Sequence, residues 1–156
     1  MRDLSNLVNK FKFKVSHTDY EHLEMEGPTE IGLDYFDKGT DAKFEIVHSL
    51  LSDSGGVLGF DFGTSRFSQK TKPYEPNNKR QNVGFYALEK IALGNHNFTV
   101  GLRHDYHDYE ANAFTSDDGA PTDGGTEGST SFAATDKNFN VTSFSVGSSS
   151  KLSDKW

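Results

Sequence analysis

Cysteine is absent from the 156-residue sequence, and proline and methionine are scarce, with four and two residues. The lack of cysteine excludes a disulfide framework and thiolate chemistry. The sequence has no run of 18 apolar residues and therefore no candidate for a membrane-spanning helix. A membrane-spanning strand needs only about ten residues of alternating character. The low mean hydropathy of −0.67 is therefore compatible with an outer-membrane β-barrel.

Basic residues are in the minority, and the net charge is −7. Binding to nucleic acid requires a basic stripe that neutralises phosphates, so we expect no nucleic-acid partner. The one basic run, at residues 10–14, places a lysine at every second position between apolar residues. Such alternation is typical of the two faces of a strand rather than of a basic patch.

Aromatic residues are plentiful, with 13 Phe and 6 Tyr, and this composition argues against disorder and favours strands. Apolar and polar residues alternate over six segments, and a seventh is interrupted by Gly27-Pro28. The pattern predicts an all-β chain, an antiparallel up-and-down meander of seven or eight strands in a single β domain over residues 1–156. The regular segments are 10–18, 42–50, 57–67, 82–87, 97–106 and 138–148, and the interrupted one is 23–36.

The predicted connections alternate between short and long. Turns are expected at residues 52–56 and 93–96, and loops at 70–80 and 112–136. The last segment is rich in Gly, Ser, Thr and Asp, and we predict that it is a long mobile loop. Outer-membrane barrels have tight turns on the periplasmic side and long loops outside. A soluble sandwich can show the same asymmetry, so both architectures stay open.

The stretch from His17 to Gly27, with the sequence HTDYEHLEMEG, resembles a barrel segment of the TonB-dependent receptors, particularly of a branch linked to zinc uptake. Later features follow in the order found in that family, and the shared order covers nearly the whole chain. These features are a strand like 42–48, a glycine-rich strand like 55–63, a loop with Tyr74-Glu75-Pro76, the element Gly101-Leu102-Arg103, a variable segment at 115–136 and a Leu-Ser-Asp-x-Trp-like turn at 152–156.

The resemblance implies a receptor and transporter of the bacterial outer membrane that takes up a metal ion or metal chelate. The partners it implies are outer-membrane lipid, a plug domain and the inner-membrane energy-coupling protein. Receptors of this family combine the plug with a barrel of many more strands. We therefore expect this chain to be a central segment of the barrel, forming wall and loops that cannot transport alone. In isolation, such a fragment is expected to curl into a small barrel or sandwich.

Two groups of residues have the chemistry of metal ligands. His22, Glu24 and Glu26 share one face of a strand because side chains repeat at every second position, and Asp105 and His107 do so on a later strand. Zn²⁺ binds imidazole nitrogen and carboxylate oxygen together. These five residues are our candidate metal ligands, and Zn²⁺ is the only cofactor that the sequence suggests. The alternative is that both groups are polar, lumen-facing or exposed strand ends.

Catalytic motifs are lacking, since no Gly-x-Ser-x-Gly nucleophile elbow and no phosphate-binding loop occurs in the sequence. We therefore expect that the protein is not an enzyme. The alternative to a receptor is a self-standing β-sandwich or small barrel that acts as a surface binding or adhesion module. In that case the apolar face of each strand would form a core rather than contact lipid.

Overall fold

The computed structural model describes residues 7–49, 55–71, 75–121 and 127–150. None of these residues lies in a helix that is long and apolar enough to cross a membrane. The described residues form eight strands: β1 (Val8–Met25), β2 (Ile31–His48), β3 (Gly56–Ser68), β4 (Asn78–Leu93), β5 (His96–Ala111), β6 (Phe114–Pro121), β7 (Glu127–Phe132) and β8 (Thr135–Ser150).

Six of the strands form one antiparallel sheet in the order β1-β2-β3-β4-β5-β8, and β6 and β7 form a separate two-stranded sheet. This arrangement confirms the predicted all-β antiparallel meander. The sheet is open, because β1 and β8 are its two edges and are not paired with each other among the described residues. The expected curling into a small barrel or sandwich is therefore not observed.

The interrupted strand predicted at residues 23–36 is wrong, because this segment contains a turn. Gly27 and Pro28 lie between β1 and β2, and the Glu26 N–H donates a hydrogen bond of 3.0 Å to the Glu30 carbonyl oxygen. Proline has no N–H to give to a neighbouring strand, so it favours a turn here rather than the interior of a strand. As a result β1 and β2 each extend over 18 residues, further than the alternation alone indicated.

Two other predicted connections are confirmed. Gly94 has a φ of 60° in the two-residue loop between β4 and β5, a conformation that glycine adopts without steric cost. The loop predicted at 70–80 is confirmed in its position between β3 and β4, but residues 78–80 already belong to β4, and residues 72–74 lie outside the described part of the chain. Of the turn predicted at 52–56, residues 52–54 lie outside the described residues, as do Tyr74 and the turn at 152–156.

The segment predicted as a long mobile loop, 112–136, contains β6 and β7. The Phe114 and Phe132 rings stack with their centroids 6.1 Å apart, and the hydroxyls of Thr115 and Ser131 lie 3.0 Å apart. Residues 122–126 lie outside the described part of the chain. The structure thus places a short hairpin between β5 and β8, and the mobility of the segment stays a prediction.

The pairing register places most of the apolar side chains of the six strands on one face of the large sheet, the apolar face, while a few, such as Val57, Leu88 and Phe139, lie on the other face. Three consecutive rows of paired residues carry most of the apolar side chains on the apolar face, and we call these rows the apolar band. The rows are Phe11, Ile46, Leu58, Ala87, Leu102 and Phe144; Phe13, Phe44, Phe60, Phe85, His104 and Thr142; and Val15, Ala42, Phe62, Val83, Tyr106 and Asn140.

The apolar band is exposed. Phe13 has 73% of its surface accessible and Phe144 84%, and none of the described hydrophobic residues is buried. Contacts within the band are lateral, as between the Phe60 and Phe85 rings, whose centroids are 5.0 Å apart. The sheet therefore has an apolar surface without a core in the described part of the chain.

Candidate functional site

The opposite surface of the sheet, the polar face, carries a cluster of charged side chains around Arg103 on β5. The Arg103 guanidinium donates hydrogen bonds of 2.8 and 2.9 Å to the two carboxylate oxygens of Asp61 on β3. It also donates two to the Asp105 carboxylate, of which the one from Nε is 2.7 Å. Arg103 thus holds two carboxylates with its planar fork of donors.

A second cluster surrounds Glu45 on β2. The Tyr86 hydroxyl donates a hydrogen bond of 2.6 Å to Glu45 Oε1, and Lys12 Nζ lies 3.0 Å from Oε2. Lys43 Nζ lies 3.3 Å from Glu45 Oε1 and 5.0 Å from the centre of the Tyr86 ring. The Arg103 guanidinium is 5.5 Å from the centre of the same ring. Tyr86 therefore connects the two clusters into one polar network.

Each long contact in this network passes over a glycine on the strand between. Tyr86 on β4 reaches Glu45 on β2 across Gly59 of β3, where a Cβ atom would overlap the tyrosine ring. Arg103 reaches Asp61 across Gly84 of β4, where a Cβ atom would lie 2.5 Å from Arg103 Nη2. The missing side chains let long polar groups lie flat on the sheet and join strands that are not neighbours.

The network is balanced in charge, with three cations and three carboxylates. Its carboxylate side chains are 13–21% exposed, whereas Arg103 is 37% exposed. In this partly solvated setting, ion pairs with good geometry contribute more to the stability of the fold than isolated surface pairs do. Chemically the network is an ordered, hydrogen-bonding surface. Its members are Lys12, Lys43, Glu45, Asp61, Tyr86, Arg103 and Asp105.

Three of the candidate metal ligands predicted from the sequence lie near the first turn. His22 and Glu24 share the polar face of β1, with His22 Nε2 3.4 Å from Glu24 Oε1, and both are exposed. The His22 ring stacks on the Tyr20 ring, and the Tyr35 ring lies next to it at a tilt of 47°. Glu26 lies beyond the end of β1, in the turn, with its side chain against Gly32 of β2.

The other two candidate ligands lie on β5. Asp105 is bonded to Arg103, and the His107 ring stacks on Phe139 of β8 with the centroids 4.9 Å apart. Because β1 and β5 are four strand spacings apart, the two strands are about 19 Å apart across the sheet. The register also places His107 level with Ser16, six residues before His22, so the two groups are further apart still. No group of three or more metal-ligating side chains occurs among the described residues. Metal binding by these five residues stays a prediction.

Asp105 is the one residue of the polar network that was among the site residues predicted from the sequence. The sequence feature that indicates the network is the recurrence of glycine, aspartate and arginine on β3, β4 and β5, at the positions that alternate with the apolar residues. Glycine next to long polar residues on neighbouring strands indicates a place where a side chain crosses the strand. The partners themselves follow only from the register, because Asp61 and Arg103 are 42 residues apart.

At the end of the sheet that carries the long connections, Asp34 of β2 anchors the connection from β3 to β4. Its buried carboxylate accepts hydrogen bonds from the N–H groups of Lys70 and Thr71, at 2.6 and 3.0 Å, and from the Thr71 hydroxyl at 3.2 Å. Burial raises the pKa of Asp34, but these hydrogen bonds outweigh it, and the pKa lies below its ordinary value. Asp34 is eight residues, or about 26 Å, beyond Ala42 of the apolar band.

Comparison with known proteins gives one match. A family model described as TonB dependent receptor-like, beta-barrel, matches residues 3–156. No curated protein and no solved structure matches the chain. The match is to the family as a whole and does not distinguish a zinc-uptake branch.

We predict that Arg103→Lys destabilises the folded protein by about 1–2 kcal/mol, because lysine cannot hold Asp61 and Asp105 at the same time. The free energy of unfolding in detergent, from urea titration, measures this change. Arg80→Lys is the matched control, since Arg80 is exposed on the same face and its guanidinium lies 5.8 Å from the centre of the Tyr109 ring. Equal losses in the two variants would contradict a special role for the Arg103 fork.

We also predict that the Asp34 anchor weakens in acid. A carboxyl whose folded-state pKa is lowered contributes stability that is fully present above its unfolded value and is lost as pH falls through the folded pKa. Amide hydrogen exchange at Lys70 and Thr71 should therefore be slower in the wild type than in Asp34→Asn at pH values above about 4. The difference should vanish at lower pH. A difference that is independent of pH would show that the carboxylate charge is not the anchor.

Proposed function

The chain belongs to the family of TonB-dependent receptor-like β-barrels, and from this premise we propose that its six-stranded sheet is a sector of barrel wall in an outer-membrane receptor. Proteins of the family are receptors and transporters of the bacterial outer membrane. In the proposed arrangement the apolar face contacts lipid and the polar face lines the interior of the barrel.

The observation that carries this proposal is the exposed apolar band. Its three rows continue across six strands, and no described hydrophobic residue is buried. A sandwich or a soluble barrel would cover such a surface with a second layer or close around it. A transmembrane barrel instead turns it outward to lipid, with the polar residues of each strand inside. This contrast favours the receptor over a self-standing binding or adhesion module.

The lengths of the connections support an orientation. Antiparallel pairing puts the β1–β2, β3–β4 and β5–β8 connections at one end of the sheet, and the last of these contains the hairpin β6–β7. At the other end the β2–β3 connection has seven residues and the β4–β5 connection two, against five, nine and 23 residues for the β1–β2, β3–β4 and β5–β8 connections. Since barrels of this membrane have long loops outside and short turns on the periplasmic side, the long-connection end faces the exterior.

The two edges of the sheet support pairing with further strands. Among the described residues, β1 pairs only with β2 and β8 only with β5, and long edges of this kind are templates for additional strands. We propose that these edges continue into the rest of one barrel wall. In that arrangement the polar network faces the interior, where the resemblance to the family implies a plug domain.

For the ligand, we propose a metal ion or a metal chelate. His22 with Glu24, and Asp105 with His107, lie on the polar face, towards the long-connection end of the sheet. Uptake of Zn²⁺ by cells that carry the receptor should fall several-fold in the double variant His22→Ala/His107→Ala, while His17→Ala, on the apolar side of β1, should leave it unchanged. Unchanged uptake in the double variant at normal receptor levels would reject these residues as ligand contacts.

We predict that a charge placed within the apolar band is costly in a bilayer. Phe144→Lys should lower the free energy of unfolding in phosphatidylcholine vesicles by about 2–4 kcal/mol, as for a lysine near the bilayer midplane. Ser145→Lys is the matched control, because the adjacent side chain points to the polar face. Its cost should stay within about 0.5 kcal/mol. Equal costs, or a reversed order, would contradict the assignment of the two faces.

A further inference from the structure

A row of three cations crosses the apolar face of the sheet near its long-connection end. Lys38 of β2 pairs in register with Arg66 of β3, which pairs with Lys79 of β4, and all three are exposed. We call these three residues the cationic row. With His17 and Thr40 they line a shallow hollow of about 240 Å³ in the sheet surface.

The row is neutralised at its two ends but not at its centre. Lys38 Nζ lies 2.9 Å from a carboxylate oxygen of Asp19, and Lys79 Nζ lies 3.4 Å from one of Glu110. Arg66 has no ion-pair partner among the described residues. Like charges on directly paired residues repel each other and destabilise a sheet. An anion bound at the centre of the row would remove this repulsion and supply the missing acceptor for the Arg66 guanidinium.

The row also lies at a defined depth relative to the apolar band. Phe62 of β3 and Val83 of β4 belong to the outermost row of the band, and Arg66 and Lys79 are each four residues further along. Four residues span about 13 Å of strand, or about 10 Å along the membrane normal at a tilt of about 40°. Long cationic side chains can bend back over part of that distance, so their charges reach the depth of lipid headgroups.

We propose that the cationic row binds the phosphate of an anionic lipid headgroup in the leaflet on the long-connection side of the membrane. This inference rests on the proposed function, which turns the apolar face to lipid. The neighbouring apolar band gives the acyl chains of the same lipid a surface to lie on, whereas free phosphate in solution would gain only the charge contacts. Basic residues at the headgroup level are a recognised basis of binding to anionic lipid.

The test uses the whole receptor in phosphatidylcholine nanodiscs with a minor fraction of phosphatidic acid, and native mass spectrometry counts the retained lipid. The wild type should retain phosphatidic acid in preference to phosphatidylcholine. Arg66→Gln/Lys79→Gln should weaken the retention of phosphatidic acid at least about fivefold, since an unpaired cation such as Arg66 near the membrane surface contributes about fivefold and Lys79 is already paired with Glu110. The Lys10→Gln/Lys14→Gln control removes two cations from the polar face and should change retention less than about twofold.

Four other outcomes are possible, and each would contradict a different part of the proposal. Retention of both lipids alike by a wild-type receptor that has entered the bilayer would overturn the lipid site and leave the proposed function intact. An equal loss in the control variant would overturn the assignment to this row. Complete displacement of phosphatidic acid by inorganic phosphate at the same concentration would overturn the lipid as the source of the phosphate. Failure of the wild type to enter a bilayer would overturn the proposed function and this inference with it.

Discussion

The antiparallel register of the six-stranded sheet is the constraint on which the other features depend. Side chains alternate between faces with a period of two residues, so a slip of one residue would move the side chains of a whole strand to the other face. In the large sheet the register is unbroken, except for irregularities near the two ends of β1. The six strands therefore present most of their large apolar residues in phase on one face, and the polar network lies on the reverse side.

Within this register, glycine determines which polar groups can meet. Among the described residues the same arrangement occurs three times: a long side chain crosses a glycine on the next strand and meets a partner on the strand after it. Tyr86 and Arg103 do so on the polar face. On the apolar face Glu89 of β4 crosses Gly56 of β3, and its Oε1 lies 3.2 Å from Nε2 of the buried His48 of β2.

These crossings have a mechanical consequence. A contact between neighbouring strands only adds to the backbone ladder, whereas a contact across a strand also fixes the position of the strand beneath it. A two-sided wall without a core has no interior packing to hold its strands in place. Side-chain bridges over glycine provide part of that restraint, at the cost of the packing that a larger residue would add to the strand.

Much of the fold was predictable because alternation is a local property. The segments at 42–50, 57–67 and 97–106 revealed both their strand character and their faces, and Gly94-Asn95 marked a hairpin. The turn at Gly27-Pro28 was misread, because alternating residues on both sides of it suggested one interrupted strand. β6 and β7 were not predicted at all, since Gly, Ser, Thr and Asp favour loops whenever no apolar alternation accompanies them.

The candidate sites were less predictable, because they depend on distances between residues that are far apart in the chain. The sequence identified residue types that bind metals at His22 and His107, but only the register shows that their strands are four spacings apart. Conversely, Asp61, Tyr86 and Arg103 each had an ordinary local explanation as a polar residue on an alternating strand. Their joint arrangement exists only once β3, β4 and β5 are aligned.

The low hydrophobic content of the chain follows from the same geometry. In a spanning strand only every second residue contacts lipid, so about five apolar residues are enough for a segment of about ten. The strands of the large sheet are 13 to 18 residues long and extend beyond such a segment. The other half of each segment, the strand ends and the connections are free to be polar. A mean hydropathy of −0.67 is therefore consistent with a sheet of this kind. The alternating positions of the apolar residues indicate the apolar face, whereas their total number does not.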